Sequence, residues 1–418
     1  MARYLEPTTC CLIPIIDAQI GSASQTHEND RMIRHPDTFT RFLADVRHFV
    51  REHWHPIERE VEALDQVPEP MVQALRDRGF FGWSIPEAYG GLGLTTEELV
   101  SAAFELSQAS VALRARVGTN TGIGSEALVA DGTAEQRERW LPRMARGELT
   151  GCLALTEPDA GSEASNVTTT AVRDGDVYVL NGMKRYITNA PLADVFTVIA
   201  RTEPDSQGSK GLTAFLVERG TPGLSTGEAY RKMGQAGSPV SDVFLHECRV
   251  PAANIIGGVE GVGFKTVMKV LNKQRLHLAA LCTGPAMRML ELAVAHTRQR
   301  EQFGQPVVNF QLVQAMIADS QTEIYAARSM ILEAARARDR GEDVALSASM
   351  CKYFASEMCG RVADRCVQMF GGAGYVADFS EIERYYRDVR LFRLYEGTSQ
   401  VHQLNIAKLT LRDFGAGA

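Results

Sequence analysis

The hydrophobic period changes twice along this chain, and no other feature of the sequence constrains its fold as tightly. From about residue 36 to 150 apolar residues recur at helical spacing. Phe42, Val46, Phe49 and Val50 follow i, i+4, i+7, i+8, the stripe an amphipathic helix buries. Met71 and Leu75 belong to a second helix that Gly79 stops. Leu99, Ala103, Leu106 and Ala109 continue the pattern, and Gln136 to Met144 reads as a short helix ending near Gly147. From about 151 to 265 the period falls to two. Asp176 to Asn181 alternates, after a hairpin signal at Arg173-Asp174-Gly175. Val195 to Ile199 and Leu212 to Val217 are further strands, and Val243-Phe244-Leu245 precedes one that Pro251 stops. From about 266 to 412 long helices return. Met350, Phe354, Met358, Val362, Cys366 and Phe370 form a stripe at every fourth residue, read as bundle core. The expectation is an α+β fold. An N-terminal helical domain spans 32–150, a central β domain (a small barrel or sandwich) spans 151–265, and a C-terminal four-helix bundle spans 266–418.

Composition excludes several functions. Net charge is -7 and no dense basic run stands out, so nucleic acid is not expected as a partner. No apolar run approaches the roughly 18 residues of a membrane span. Residues 1–31 read as a disordered tail whose one apolar run, Cys10 to Ile16, contains Pro14 and makes a poor secretory signal. Met32 is an alternative start, which N-terminal mass spectrometry of the native protein decides. The eight cysteines (Cys10, Cys11, Cys152, Cys248, Cys282, Cys351, Cys359 and Cys366) form no Cys-x-x-Cys pair and no zinc spacing, so no metal is expected. Cys359 and Cys366 fall in a helical pattern as small core residues, and the scatter fits a reducing cytoplasm. Trp54, Trp83 and Trp140 read as packing residues, and the nine histidines share no spacing. Gly257 to Gly263 joins strands to helices outside any βαβ unit, so it reads as a loop and not as a dinucleotide fingerprint.

Five segments set polar residues and glycines among apolar neighbours. They are Leu153 to Ser162, Lys184 to Ala190, Arg298 to Pro306, Gln368 to Tyr375 and Arg393-Leu394-Tyr395-Glu396-Gly397-Thr398-Ser399-Gln400. In this order, on a helix–strand–helix background, they resemble the acyl-CoA dehydrogenase family over about residues 36–412. The resemblance implies an FAD enzyme that oxidises the α,β bond of a CoA thioester. A flavin ring needs donors along its carbonyl edge, and the backbone near Leu155 with the hydroxyls of Thr156, Ser162 and Thr188 suits it. Gly161 gives the backbone room to approach a ligand. Tyr186 offers an aromatic face where the family usually has tryptophan. Arg300 suits the cofactor's pyrophosphate. In the family that arginine, with Gln302, Phe303 and Gln311, reaches a neighbouring subunit's cofactor, and Gln368, Gly371 and Gly372 do likewise. Thr398 and Gln400 would also contact it. Shared sites imply an oligomer, usually a tetramer.

Removing an α-proton needs a carboxylate in a site that excludes water, and donors for charge developing on the thioester oxygen. Glu396 suits the base, with Leu394 and Tyr395 expected to desolvate it and Gly397 to leave space for the acyl chain. The family's two donors to that oxygen are the backbone N–H of the base and a ribityl hydroxyl. Some members carry the base on a bundle helix instead; the matching position here is Gln274, which takes no proton. Arg275 is expected on the substrate side, with Asn272 beside it. Arg114 lies where the family lines the far end of the acyl pocket. It reads as a binder of a distal carboxylate, as in a glutaryl-CoA dehydrogenase, as a helix cation snorkelling to solvent, or as the partner of a nearby acid. The leading expectation is a dehydrogenase passing electrons to electron-transferring flavoprotein. An acyl-CoA oxidase, a non-redox relative and a non-catalytic binder are the alternatives.

Overall fold

A computed structural model describes residues 33–415; the sequence readings for 1–31 and for Met32, Cys10 and Cys11 lie outside them. Seven helices form the N-terminal part: α1 (Pro36–Phe49), α2 (Glu58–Leu64), α3 (Glu69–Asp77), α4 (Thr96–Leu106), α5 (Val111–Gly118), α6 (Glu126–Asp131) and α7 (Ala134–Ala145). Proline sits in the first turn of α1, where its missing N–H costs nothing. Capping boxes open α4 (Thr95 with Glu98) and α7 (Thr133 with Gln136). Val46, Phe49, Val50, Trp54, Leu75, Trp83 and Leu99 pack into one core, as the helical spacing required.

The middle part is a seven-stranded sheet: β1 (Gly151–Ala154), β2 (Thr170–Asp174), β3 (Val177–Thr188), β4 (Val195–Arg201), β5 (Leu212–Glu218), β6 (Leu224–Thr226) and β7 (Val240–Pro251). The β2–β3 hairpin turns through Gly175 at φ +63°, and β7 ends on Pro251. β4 pairs with β5 along one edge and with β1 and β2 along the other. The sheet curls: the rings of Tyr178 on β3 and Phe215 on β5 lie 5.2 Å apart although β2 and β4 separate those strands.

Residues after the glycine loop form the second helical part: α8 (Gly263–Gln299), α9 (Gln311–Asp339), α10 (Ala345–Phe370), α11 (Ile382–Val389) and α12 (Ser399–Gly415). A two-residue hairpin, β8 (Glu301–Gln302) with β9 (Gln305–Pro306), joins α8 to α9. α8 is long and apolar enough to cross a membrane, contrary to the sequence reading. Its residues Leu276, Leu278, Ala286 and Met289 pack instead into a core with α4, α9 and α10. The α10 stripe is core only in its middle. Met358, Val362 and Cys366 have no exposed surface, whereas Met350 is 36% exposed. A four-residue repeat turns about 40° per step on a helix of 3.6 residues per turn, so the two ends cannot share a face. Cys359 is buried with Cys366, and all six described cysteines are free.

α11 locks the parts together. Arg384 pairs with Glu58 of α2, and both are buried. Tyr385 donates to Gln108 O at 3.0 Å, and Gln235 Nε2 donates to Asp388 O at 2.9 Å. The segment that follows α11 is thereby fixed between all three parts.

Candidate active site

After α11 the chain makes one short helical turn over Arg390–Arg393 and then reverses into α12. Thr398 caps α12, its hydroxyl accepting from Val401 N at 3.2 Å. The reversal is made by Glu396 at φ +52° and Gly397 at φ +95°. Glycine adopts such a backbone freely; a glutamate there costs about 1–2 kcal/mol. A Cβ on Gly397 would lie 2.9 Å from His402 Nε2. Gly397 therefore accommodates the turn and the His402 ring, and it does not open onto the empty space expected from the sequence.

Glu396 Oε2 is shielded from water and has no hydrogen-bond partner. Burial raises this carboxyl to about 7, against the pull of Arg114, Lys352 and Arg275. The desolvating neighbours differ from those expected. Leu394 is 49% exposed, whereas the Tyr395 ring stacks on buried Phe392 at 6.1 Å between centroids. Arg114 is buried, which removes the snorkelling reading. Its Nη2 donates to the Tyr395 hydroxyl, and its guanidinium carbon lies 5.3 Å from the Tyr395 ring centre and 5.7 Å from that of Phe392. It thus lies against the segment that carries Glu396 and acts on that carboxyl through its charge. Arg275 is also buried and donates to Asn272 Oδ1 at 2.7 Å, with its Nε unpartnered. Gln274 is turned away to Gly122 and to His277 Nδ1, 3.3 Å distant. The Glu396 N–H donates to none of the described residues.

The flavin-type segments lie on and beside β3. Arg185 N donates to Thr156 O at 2.7 Å, joining the Leu155–Ser162 loop to β3. Beneath this contact lies a fully buried ion pair: Lys184 Nζ reaches Glu157 Oε1 at 2.7 Å and the carbonyls of Ile199 and Leu155 at 2.6 and 3.3 Å. Glu157 also accepts from Thr168 N, Thr168 Oγ1 and Thr169 N. Burial opposes its charge, but Lys184 and these donors prevail and hold it at about 2. Asn189, at φ +60°, donates from Nδ2 to Ala115 O at 2.8 Å, tying the end of β3 to the helix that carries Arg114. Tyr186, at φ +59°, is 64% exposed. The hydroxyls of Thr156, Ser162 and Thr188 bond none of the described residues, and a Cβ on Gly161 would meet open space. Free donors, an open glycine and a bare aromatic face are what a flavin ring requires, so the residues fit FAD.

Arg300, Gln302, Phe303, Gln311, Gln368, Gly371 and Gly372 gather elsewhere, all exposed, at the far end of the bundle, where His296 and Phe370 stack at 4.2 Å. Lys352 and Phe370 stand ~27 Å apart along α10 at 1.5 Å per residue. One chain therefore does not bring this group to Glu396. Thr398 is partly buried and Gln400 exposed, both close to Glu396 in sequence. Sequence reasoning missed Lys352, His402, Asn189 and the Lys184–Glu157 pair. A signal existed for Lys352: it occupies a helix face of small residues, Ala348, Ser349, Cys351, Ala355 and Ser356, where a lysine is out of place.

Known proteins agree with this layout. Family profiles for the acyl-CoA dehydrogenase N-terminal, middle and C-terminal domains match residues 36–148, 152–248 and 261–411. A 3-(aryl)acrylate reductase of Clostridium sporogenes is 41% identical over 88% of this chain and 97% of its own. The caffeyl-CoA reductase-Etf complex subunit CarC of Acetobacterium woodii is 37% identical over 84% of this chain and 92% of its own. Butyryl-CoA dehydrogenase of Megasphaera elsdenii superposes with a TM-score of 0.86 at 32% identity, covering 91% of this chain and all of the other. The chain belongs to the acyl-CoA dehydrogenase family, oxidoreductases acting on CH–CH groups.

Proposed function

We propose that this chain is an FAD-dependent acyl-CoA dehydrogenase in which Glu396 takes the α-proton of a CoA thioester, yielding the trans-2-enoyl-CoA. The observation that carries the reading is the Glu396 carboxylate itself, with one oxygen water-shielded and unpartnered and its carboxyl raised to about 7. A base near the working pH is the efficient one. The free Glu396 N–H is placed next to that carboxylate and supplies a donor for charge on the thioester oxygen. Arg275 and Asn272 flank the thioester side. FAD, when bound, supplies the acceptor for the β-hydride. Its ring would be held by Leu155, Thr156, Ser162, Tyr186 and Thr188, with Thr398 and Gln400 nearby. Arg300, Gln302, Phe303, Gln311, Gln368, Gly371 and Gly372 would serve the cofactor of a neighbouring copy. Their distance from Glu396 and the exposure of Phe303 (92%) and Tyr375 (82%) support a homotetramer with shared sites. Electrons would pass to electron-transferring flavoprotein, in keeping with the name of the Acetobacterium relative. A cytoplasmic location belongs to the same reading, supported by six unpaired cysteines.

Two observations favour variants of this reading. Protonated Glu396 is equally suited to return a proton to the α-carbon, so a reductase direction, like that of the Clostridium relative, needs no other residue. Arg114 is buried with an unpartnered Nε against the segment that carries Glu396, which suits a substrate with a distal carboxylate.

Anaerobic titration of the yellow protein with a panel including butyryl-CoA and glutaryl-CoA tests the dehydrogenase and carboxylate readings. Bleaching by some acyl-CoA is expected, and bleaching by none refutes the dehydrogenase reading. Preference for butyryl-CoA removes the carboxylate role of Arg114. Rapid return of colour with oxygen would identify an oxidase.

A further inference from the structure

We infer that Lys352 and His402 are positioning residues that clamp the carbonyls of Gly397 and Glu396 and so aim both the Glu396 side chain and its N–H into the pocket. The inference rests on the reading of Glu396 as base. Lys352 Nζ donates to Gly397 O at 2.6 Å, and His402 Nε2 lies 3.2 Å from Glu396 O. A carbonyl only accepts, so His402 carries its proton on Nε2; its Nδ1 is buried and unpartnered. The two side chains come from different helices, α10 and α12, and neither has exposed surface. Two successive peptide carbonyls at a left-handed turn are thus each held by a buried donor.

Stability alone does not account for these residues. Lys352 makes no ion pair among the described residues and sits on a buried face with Ala348, Ser349, Cys351, Ala355 and Ser356. Burying an ammonium costs several kcal/mol that an apolar side chain would not, and burial lowers Lys352 even though Glu396 and Glu357 pull the other way. What the lysine gains is one backbone carbonyl, and that carbonyl follows the proposed base. The left-handed Glu396 is itself unfavourable and persists only where surroundings over-determine it. The titratable and charged groups that act on the Glu396 carboxylate are Arg114 from α5, Arg275 and Cys282 from α8, Lys352 from α10 and the adjacent Tyr395, while His402 from α12 meets only its backbone carbonyl. Lys352 thus combines a positional role with a charge beside the base, whereas His402, kept neutral by burial, supplies position alone.

The test compares Lys352→Met, His402→Leu and His402→Gln in the FAD-loaded enzyme, with crystal structures of each. Misplacement of a base by an ångström can cost about 100-fold, so kcat should fall about 10- to 100-fold in Lys352→Met and His402→Leu with KM little changed. His402→Gln, which restores an N–H donor, should recover most of the loss. Lys352→Met should also move the midpoint of the kcat/KM pH profile upward, and His402→Leu should leave it in place. In the crystals, Glu396 should leave its left-handed φ in the two apolar variants and keep it in His402→Gln. Wild-type kcat and unchanged φ in both apolar variants would overturn the clamp. If Lys352→Met does not fold, the His402 pair decides by the same criteria. If Glu396→Gln keeps full activity the base assignment fails instead, and the crystallographic comparison still judges the clamp.

Discussion

Replacing Lys184 by methionine isolates what the buried ion pair beneath the flavin-type segments contributes. At its 2.7 Å separation from Glu157, and with an effective dielectric of ~20, the pair attracts by about 6 kcal/mol. Desolvation of the ammonium offsets much of that. Methionine fills nearly the same volume, so little cavity energy enters. What remains is a Glu157 carboxylate still bonded to Thr168 and Thr169 but stripped of its cation. Breaking one side of a buried pair costs about 3–5 kcal/mol. The expected loss of unfolding free energy in urea is of that size. The isolated variant should also carry less FAD, because Lys184 holds Leu155 O and stands next to the Arg185–Thr156 contact. Adding Glu157→Gln removes the stranded charge and should recover part of both losses. A single-variant loss under ~1 kcal/mol with full FAD content would refute the reasoning.

Three further outcomes follow from the same structure. The kcat/KM profile should rise with pH and level off above about 7, since Glu396 accepts a proton only when ionised and its carboxyl is raised to about 7; a rate falling through that range would contradict it. The same raised carboxyl binds its proton more tightly folded than unfolded, so its contribution to stability is fully present below the ordinary 4.5 and is lost as pH rises through about 7, as pH-dependent urea titration of the wild type against Glu396→Gln would show. Gly397→Ala forces a side chain to φ +95° and to within 2.9 Å of His402 Nε2; it should cost more than ~1 kcal/mol and lower kcat, and a neutral variant in both assays would contradict the turn's role.

Much of this was legible in the sequence, because hydrophobic period reports directly which face of an element is buried. The helix–sheet–helix order, the β2–β3 hairpin at Gly175 and the stop at Pro251 all follow from local rules. The prominence of Glu396 was also legible, since Tyr395 to Ser399 is a contiguous segment. What was not legible depends on pairs distant in the chain. Arg114 and Tyr395 are 281 positions apart, so neither predicts that the arginine reaches the residue next to Glu396. Gly397 looked like open space because nothing local reveals that the His402 ring packs under it. Leu394 and Tyr395 are adjacent and both apolar-faced, yet a single turn after α11 sends one outward and the other onto Phe392. The α10 stripe failed at its ends for a geometric reason, the 40° drift of a four-residue repeat.

The most direct test of the account is single-turnover reduction of the flavin in Glu396→Gln, followed anaerobically with an acyl-CoA that bleaches the wild type. The variant should bind FAD and acyl-CoA as the wild type does, yet lose bleaching by several orders of magnitude, as expected when the proposed proton acceptor is removed from a buried site. Bleaching at a near wild-type rate would show that another group takes the α-proton and would contradict the assignment of Glu396.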